Sequence, residues 1–353
     1  MLHRKIEEKS EMLMEKIADS VRTIEDTPNI PGLVFRGFRG EVDYAGMLAV
    51  IEASKETDGL ERTDSLEEIT HNYNHLQRCD PYQDMQFAEV DGKVVGYSRV
   101  WWAQTTDGKR LYSGFVYLEP EWRYKGIRRA MLRHNERRLR EIAAGHPQDG
   151  ERWFSAWASD SEEHWESLLV DAGYRAVRHG FDMVRAHLEE IPDLPLPEGL
   201  EVRPARADHY RTIFDAAKEA FRDSWEYSED WFSDEDFESW QQEPTFQPEL
   251  WQVAWDNGQV AGMVLNFIRH DENEEYNRQR GYTETICVRR PWRRRGLARA
   301  LIARSFKVIK GQGMTEAALG VDTESPTGAL QLYEGMGFRP VKRASVYRKL
   351  MEA

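Results

Sequence analysis

The densest group of residues able to do chemistry is Ile286-Cys287-Val288-Arg289-Arg290-Pro291-Trp292-Arg293-Arg294-Arg295-Gly296-Leu297-Ala298. An apolar strand ends there, five arginines fall between positions 289 and 295, and a helix starts near Gly296. The first turn of a helix has amides without intrahelical partners and carries the positive end of the helix dipole, so an anion can bind there. The small Gly296 and Ala298 let the backbone come close, which suits a diphosphate. A solvated charged face would give the same arginine run. Two common phosphate loops are excluded. No G-x-x-x-x-G-K-[ST] occurs, and Gly311-Gln312-Gly313 follows a helix and precedes a strand, the reverse of the dinucleotide fingerprint.

The elements that must position this segment recur twice. Val34-Phe35-Arg36 then Tyr44 to Ser54 corresponds to Leu200-Glu201-Val202-Arg203 then Tyr210 to Phe221, each a strand followed by a helix. Phe87 to Val90 turns at Asp91-Gly92 into Val94 to Trp101; Trp251 to Trp255 turns at Asp256-Asn257-Gly258 into Val260 to Phe267. Leu111 to Leu118 and Tyr282 to Val288 are further strands, each running through Trp-Arg and a glycine into a basic helix. Gly296 lies 170 residues after Gly126 and Gly337 lies 164 after Gly173, so the register holds and duplication is its origin. Each unit reads as α+β, with a mixed, mostly antiparallel sheet flanked by helices. Residues 1–30 read as an N-terminal helical extension closed by Pro28 and Pro31. Residues 31–190 and 198–353 are the two domains, joined by a Pro-rich linker at 191–197.

Composition narrows the function. The chain has 353 residues, enough for two domains, and its net charge of -14 opposes general binding of nucleic acid or anionic membrane. No apolar run is long enough to span a membrane, and Met1 to Thr27 lacks the apolar stretch of a signal peptide. Cys79 and Cys287 form no disulfide framework, so a cytoplasmic location is expected. His71, His75 and Cys79 recur at four-residue spacing, but without the glutamate of the zinc-protease motif they read as surface residues, and no metal is expected.

Arg293-x-x-Gly296-x-Ala298, between a strand and a helix, resembles the acyl-CoA motif of the GNAT superfamily of N-acetyltransferases. Downstream, Ala329-Leu330-Gln331-Leu332-Tyr333-Glu334-Gly335-Met336-Gly337-Phe338 is similar to the family's last helix and its turn into the final strands. The resemblance implies two tandem GNAT-like domains and acetyl-CoA as co-substrate, with the acetyl group passing to a primary amine by direct attack. It implies that backbone groups of Ile286, Cys287 and Val288 pair with the pantetheine arm. Amides of Arg293, Arg294, Arg295, Gly296, Leu297, Ala298 and Arg299 would cradle the diphosphate. Ser325 stands where many relatives carry Asn and would offer the pantetheine one hydrogen bond. Tyr333 falls on the tyrosine that protonates the CoA thiolate, a role that a phenol with a pKa near 10 suits; packing in the core is its other reading.

Glu284 is the candidate to take the acceptor's proton. It lies two residues before Ile286, which places both on one face of a regular strand; a salt-bridged or solvent-facing glutamate is the alternative. Trp225, Tyr227, Trp231, Phe232 and Trp240 occupy a region where relatives build acceptor pockets, and they would equally serve as core. In the first half, Arg128 stands at the place of Ala298 and Leu169 at that of Tyr333, so this half reads as degenerate, with Arg128 crowding the backbone that a diphosphate must approach. The acceptor is a small-molecule or peptide amine, and monomer and homodimer are both compatible with the sequence. The competing class is a non-catalytic acyl-CoA-binding or regulatory protein in which Tyr333 only packs.

Overall fold

The structure is a computed structural model that describes residues 21–352. The expected leading helix falls mostly on residues outside that range. Between Arg22 and Ile30 the chain is irregular, not helical: Arg22 donates to the carbonyls of Tyr82 (2.7 Å) and Met85 (2.9 Å), and Ile24 is buried in the first core.

The chain forms two compact units. The first contains β1 (Leu33–Arg36), β2 (Met85–Val90), β3 (Lys93–Gln104), β4 (Arg110–Leu118) and β5 (Arg152–Ser159). Strands β1 to β4 are successive antiparallel neighbours, and β5 runs parallel to β4. Two positive-φ residues, Asp91 (49°) and Gly92 (82°), make the β2–β3 turn, the backbone that a two-residue hairpin needs. The helix Ile127–Ala144 buries Ile127, Met131 and Leu139 on one face of this sheet. Met47, Val50 and Ile51 of helix Tyr44–Asp58 pack with Phe87 and Tyr97 in a separate core.

The second unit contains β6 (Arg175–Arg185) from Ala176 onward, β7 (Glu201–Arg203), β8 (Gln252–Asp256), β9 (Gln259–Ile268), β10 (Arg280–Val288), β11 (Glu316–Asp322) and most of β12 (Arg339–Leu350). Strands β7 to β10 are antiparallel neighbours, β11 runs parallel to β10, and β6 lies antiparallel on the other edge of β11. The turn between β8 and β9 is Asn257-Gly258, both at positive φ. Helix Leu297–Gly311 packs through Leu301, Phe306 and Ile309 against Val264, Ala317 and Leu319. Helix Tyr210–Phe221 packs through Ile213 and Ala217 against Val253, Met263 and Cys287 on the opposite face.

The units do not follow the expected cut at 190 and 198. Residues 176–190 belong to the second unit, because β6 supplies the strand beside β11. Residues from Tyr347 onward belong to the first, where Met351 N donates to Arg152 O at 2.9 Å and Tyr347 is buried. The proline-rich stretch is no free linker either. Leu188 is buried in the second core and Ile191, Leu194 and Leu196 pack against it.

Candidate active site

In the second unit, β10 and β11 pair only over Arg280–Tyr282 and Glu316–Ala318. Past those residues the two strands part, and the freed edges are bridged by side chains of β10: Thr283 Oγ1 donates to Ala318 O (3.2 Å), and Glu284 Oε1 accepts from Gly320 N (3.0 Å). A bulge in β10 accompanies the split. Thr285 (φ 47°) and Ile286 stand opposite the single Val264, between the pairs Glu284–Leu265 and Cys287–Met263.

The bulge overturns one expectation. Alternation would put Glu284 and Ile286 on one face, but the extra residue reverses the parity. Ile286 and Val288 face the core of helix Leu297–Gly311, whereas Glu284 stands across from Leu265 on the side of helix Tyr210–Phe221. Enclosure there pushes the Glu284 carboxyl up to about 7; the bond from Gly320 pulls it down, and the like charge of Asp182 adds to the rise.

Tyr333 comes from the other side. It sits in helix Ala329–Gly335, 7% exposed, in the core shared with helix Leu297–Gly311 and edge-on to Phe338. Burial raises its phenol well above 10, and Glu284 and Cys287 are close enough to add to the rise. The expected match at pKa 10 therefore does not hold for the isolated side chain. A thiolate enclosed in the same place has its basicity raised by the same loss of water. Cys287 itself is buried and its thiol is pushed up to about 12, so it is a packed, protonated group at neutral pH.

At the helix start, Arg294 (φ 60°) and Gly296 (φ 83°) flank Arg295 and form a concave turn leading into Leu297–Gly311. The first intrahelical bond is Ala300 N to Gly296 O (3.1 Å), which leaves the amides of Gly296, Leu297, Ala298 and Arg299 ahead of the ladder. A side chain at Gly296 would meet nothing within 4 Å, so the cradle is open. These residues fit a diphosphate. Arg293 does not belong with them, because its amide bonds Arg290 O (3.3 Å) in the preceding 3₁₀ turn. Its guanidinium is structural too, donating to Val288 O (2.8 Å), Ala220 O (3.2 Å) and Asp223 (2.5 Å). Arg290 also pairs with Asp223, and Arg289 with Glu219 at 2.6 Å, so the arginine run is tied largely to acids in and just after helix Tyr210–Phe221. The Ser325 hydroxyl is shared with Thr327 Oγ1 at 2.9 Å in the turn before Tyr333's helix.

The first unit repeats the backbone and blocks the space. Tyr124 (φ 62°) and Gly126 (φ 90°) reproduce the loop, and Arg123 pairs with Asp58 (2.6 and 2.7 Å) as Arg293 pairs with Asp223. Arg128, 170 positions before Ala298, does not crowd the loop from outside as expected. Its side chain turns inward, 3% exposed, Nε donating to Val116 O (2.9 Å) and its guanidinium stacking on Trp165 at 4.6 Å. Val116 lies 170 positions before Ile286 and beyond the last β4–β5 pair, so the Arg128 guanidinium occupies the strand edge that corresponds to Ile286. Pro28 lies against Gly126, 3.4 Å from where a Cβ would stand. Here β4 has no bulge, and Gly114 occupies the position of Glu284.

The aromatic group of the second unit is split between packing and surface, with Trp231 48% exposed. Trp240 stacks on Trp251 (5.1 Å), Phe232 packs on Phe214, and Tyr227 is buried, while Trp225 lies beneath the Arg178 guanidinium at 5.1 Å. His71 and His75 lie ring to ring at 4.5 Å; among the described residues no three His, Cys, Asp or Glu are grouped to hold a metal ion.

A split parallel pair, a bulge in β10 and a helix start therefore come together at one end of β10 and β11. The Acetyltransferase (GNAT) family description matches residues 48–147 and 211–338, so the chain belongs to the GNAT acetyltransferase family, with two tandem GNAT domains. A mycothiol acetyltransferase of Geodermatophilus obscurus is 27% identical over 300 residues, covering 83% of this chain and 90% of that protein. A GCN5-related N-acetyltransferase from Sphaerobacter thermophilus is 26% identical with a TM-score of 0.69, covering 94% of this chain and 98% of that one. A tandem GNAT protein from the clavulanic acid biosynthesis pathway, 13% identical, shares the fold at a TM-score of 0.63. The protein is an acyltransferase that moves an acetyl group to an amine. No helix among the described residues is long and apolar enough to cross a membrane.

Proposed function

We propose that the second unit carries the reaction, with acetyl-CoA as donor and a small-molecule primary amine as acceptor, in the reducing cytoplasm. The observation that carries this reading is the approach of Glu284 and Tyr333 to one strand split from opposite faces of the sheet. Amides of Gly296 to Arg299 would hold the diphosphate, and the free edge of β10 beyond Tyr282 would pair with the pantetheine arm.

Glu284 takes the proton of the acceptor's ammonium group. A carboxyl near 7 is a stronger base than an ordinary glutamate and is still largely ionised just above neutrality. The freed nitrogen lone pair forms the C–N bond at the thioester carbonyl carbon, the C–S bond breaks, and Tyr333 gives its proton to the sulfur; the second proton shed by the new amide nitrogen restores the phenol, and Glu284 releases the first to solvent. The two groups are coupled. Glu284's charge is one reason the phenol holds its proton, so neutralising Glu284 makes Tyr333 a better acid as the thiolate departs.

In this reading the first unit is degenerate, its corresponding strand edge occupied by Arg128. The test is a screen of primary amines followed by CoA release, with amines related to mycothiol first in view of the relatives' names. With the best acceptor, Tyr333→Phe should lower kcat by about 10²-fold and leave acetyl-CoA affinity nearly unchanged. Equal turnover would reduce Tyr333 to a packing residue.

A further inference from the structure

Strand β6 is encoded before the linker yet lies in the second unit, beside β11, and it carries a single carboxylate, Asp182. Asp182 is the cross-strand partner of Gly320, the residue whose amide binds Glu284 Oε1 from the other side. Residues directly opposite across a sheet share a face. Asp182 therefore stands on the same face as Glu284, with only Gly320 between them. That glycine has no side chain to separate the two carboxylates, and a Cβ there would come within 4.0 Å of Glu284 Oε1.

The surroundings leave Asp182 available to a ligand. Its side chain is exposed on the face opposite helix Leu297–Gly311, and Met183 beside it is buried in that helix's core. Arg280 is committed to Glu316 at 2.7 Å. Partial burial raises the Asp182 carboxyl above its ordinary value, and the nearby charges of Lys342 and Arg280 offset only part of that rise. The Gly320 amide donates to Glu284, Asp182 lies within electrostatic reach on the same face, and Tyr333 of helix Ala329–Gly335 lies within reach from the other face.

We propose that Asp182 is an acceptor-binding residue: together with Glu284 it frames, across Gly320, a two-carboxylate cradle for the ammonium group of the acceptor. The proposal rests on Glu284 being the proton acceptor of the second unit. Asp182 holds the cationic amine beside Glu284, and Glu284 removes its proton. The cradle selects acceptors that arrive as ammonium ions over neutral nucleophiles. It also makes a strand from the first half of the sequence part of the second unit's chemistry.

The test is Asp182→Asn in the full chain, a near-isosteric change at an exposed position. With glucosamine and n-butylamine as probe acceptors, KM for the amine should rise about fivefold or more, the scale of one lost charged contact, while KM for acetyl-CoA stays the same. An unaltered amine KM overturns the cradle. A readout that needs no acceptor is 13C NMR titration of the glutamate carboxyls, with the Glu284 resonance assigned through Glu284→Gln. Its midpoint should fall in Asp182→Asn, and an unmoved midpoint likewise overturns the proposal. Glu284→Gln separates the two ideas. If it is inactive while Asp182→Asn behaves as the parent, the cradle alone fails; if Glu284→Gln turns over normally, the assignment of the base fails with it.

Discussion

A carboxyl that keeps its proton to about 7 ties activity and stability to the same residue. Over the interval from the ordinary glutamate range up to about 7, the folded protein binds this proton and the unfolded chain does not. Stability therefore falls as pH rises through that interval, by at most about 3 kcal/mol. Glu284→Gln should match the parent in denaturant unfolding near about pH 5, exceed it near about pH 8, and lose turnover at both. The parent's kcat/KM should climb as pH rises through about 7 and then level off. A parent profile flat across that region, or a Gln variant no more stable at the higher pH, would count against the enclosed carboxyl.

The strand split and the helix start decide what can bind, and the two units differ there. In the second, nothing lies within 4 Å of a side chain built at Gly296; in the first, Pro28 lies on Gly126 and Arg128 is bonded to Val116 O. Calorimetry with acetyl-CoA should accordingly give one site per chain. Gly296→Val should abolish it, since a β-branched residue at φ 83° costs about 1–2 kcal/mol and covers the free amides. Two equivalent sites in the parent would show that the Arg128 guanidinium yields to the ligand. The bulge matters at the same scale. It sends the side chains of Glu284 and Ile286 to opposite faces of β10, the latter into the core of helix Leu297–Gly311.

At the scale of the molecule, sequence order and compact unit disagree at both ends of the repeat. A fragment of residues 198–353 lacks β6 and exposes the β11 edge that β6 covers, while carrying Tyr347 and Met351 without the core that buries them. An open strand edge and bare apolar residues favour association. This fragment should be aggregated or poorly folded by circular dichroism and size exclusion, whereas the full chain is not. A soluble, folded and active fragment would show that β6 is dispensable, and with it Asp182.

Much of this was legible in the sequence because it is local. The paired turns, the matching strands and the Gly296 and Gly126 loops follow from backbone preferences and short-range periodicity, and the 170-residue register carried them from one unit to the other. Tyr333 and Glu284 were named from the motif and its neighbouring strand. Their approach from opposite faces was not, because it depends on a single extra residue at Thr285-Ile286 relative to β9, and periodicity assumes none. The motif marks Arg128 as out of place, but a long flexible side chain can turn outward or inward, and only the surrounding Trp165 and Val116 carbonyl select the inward course. The placement of β6 and of Asp182 is likewise tertiary. Strand pairing joins residues far apart in the chain, and nothing near Asp182 in sequence marks Gly320 as its partner. A duplicated GNAT unit with one intact motif can be read from local residue order alone, whereas the faces, edges and strands brought beside that motif depend on long-range register, which no local pattern encodes.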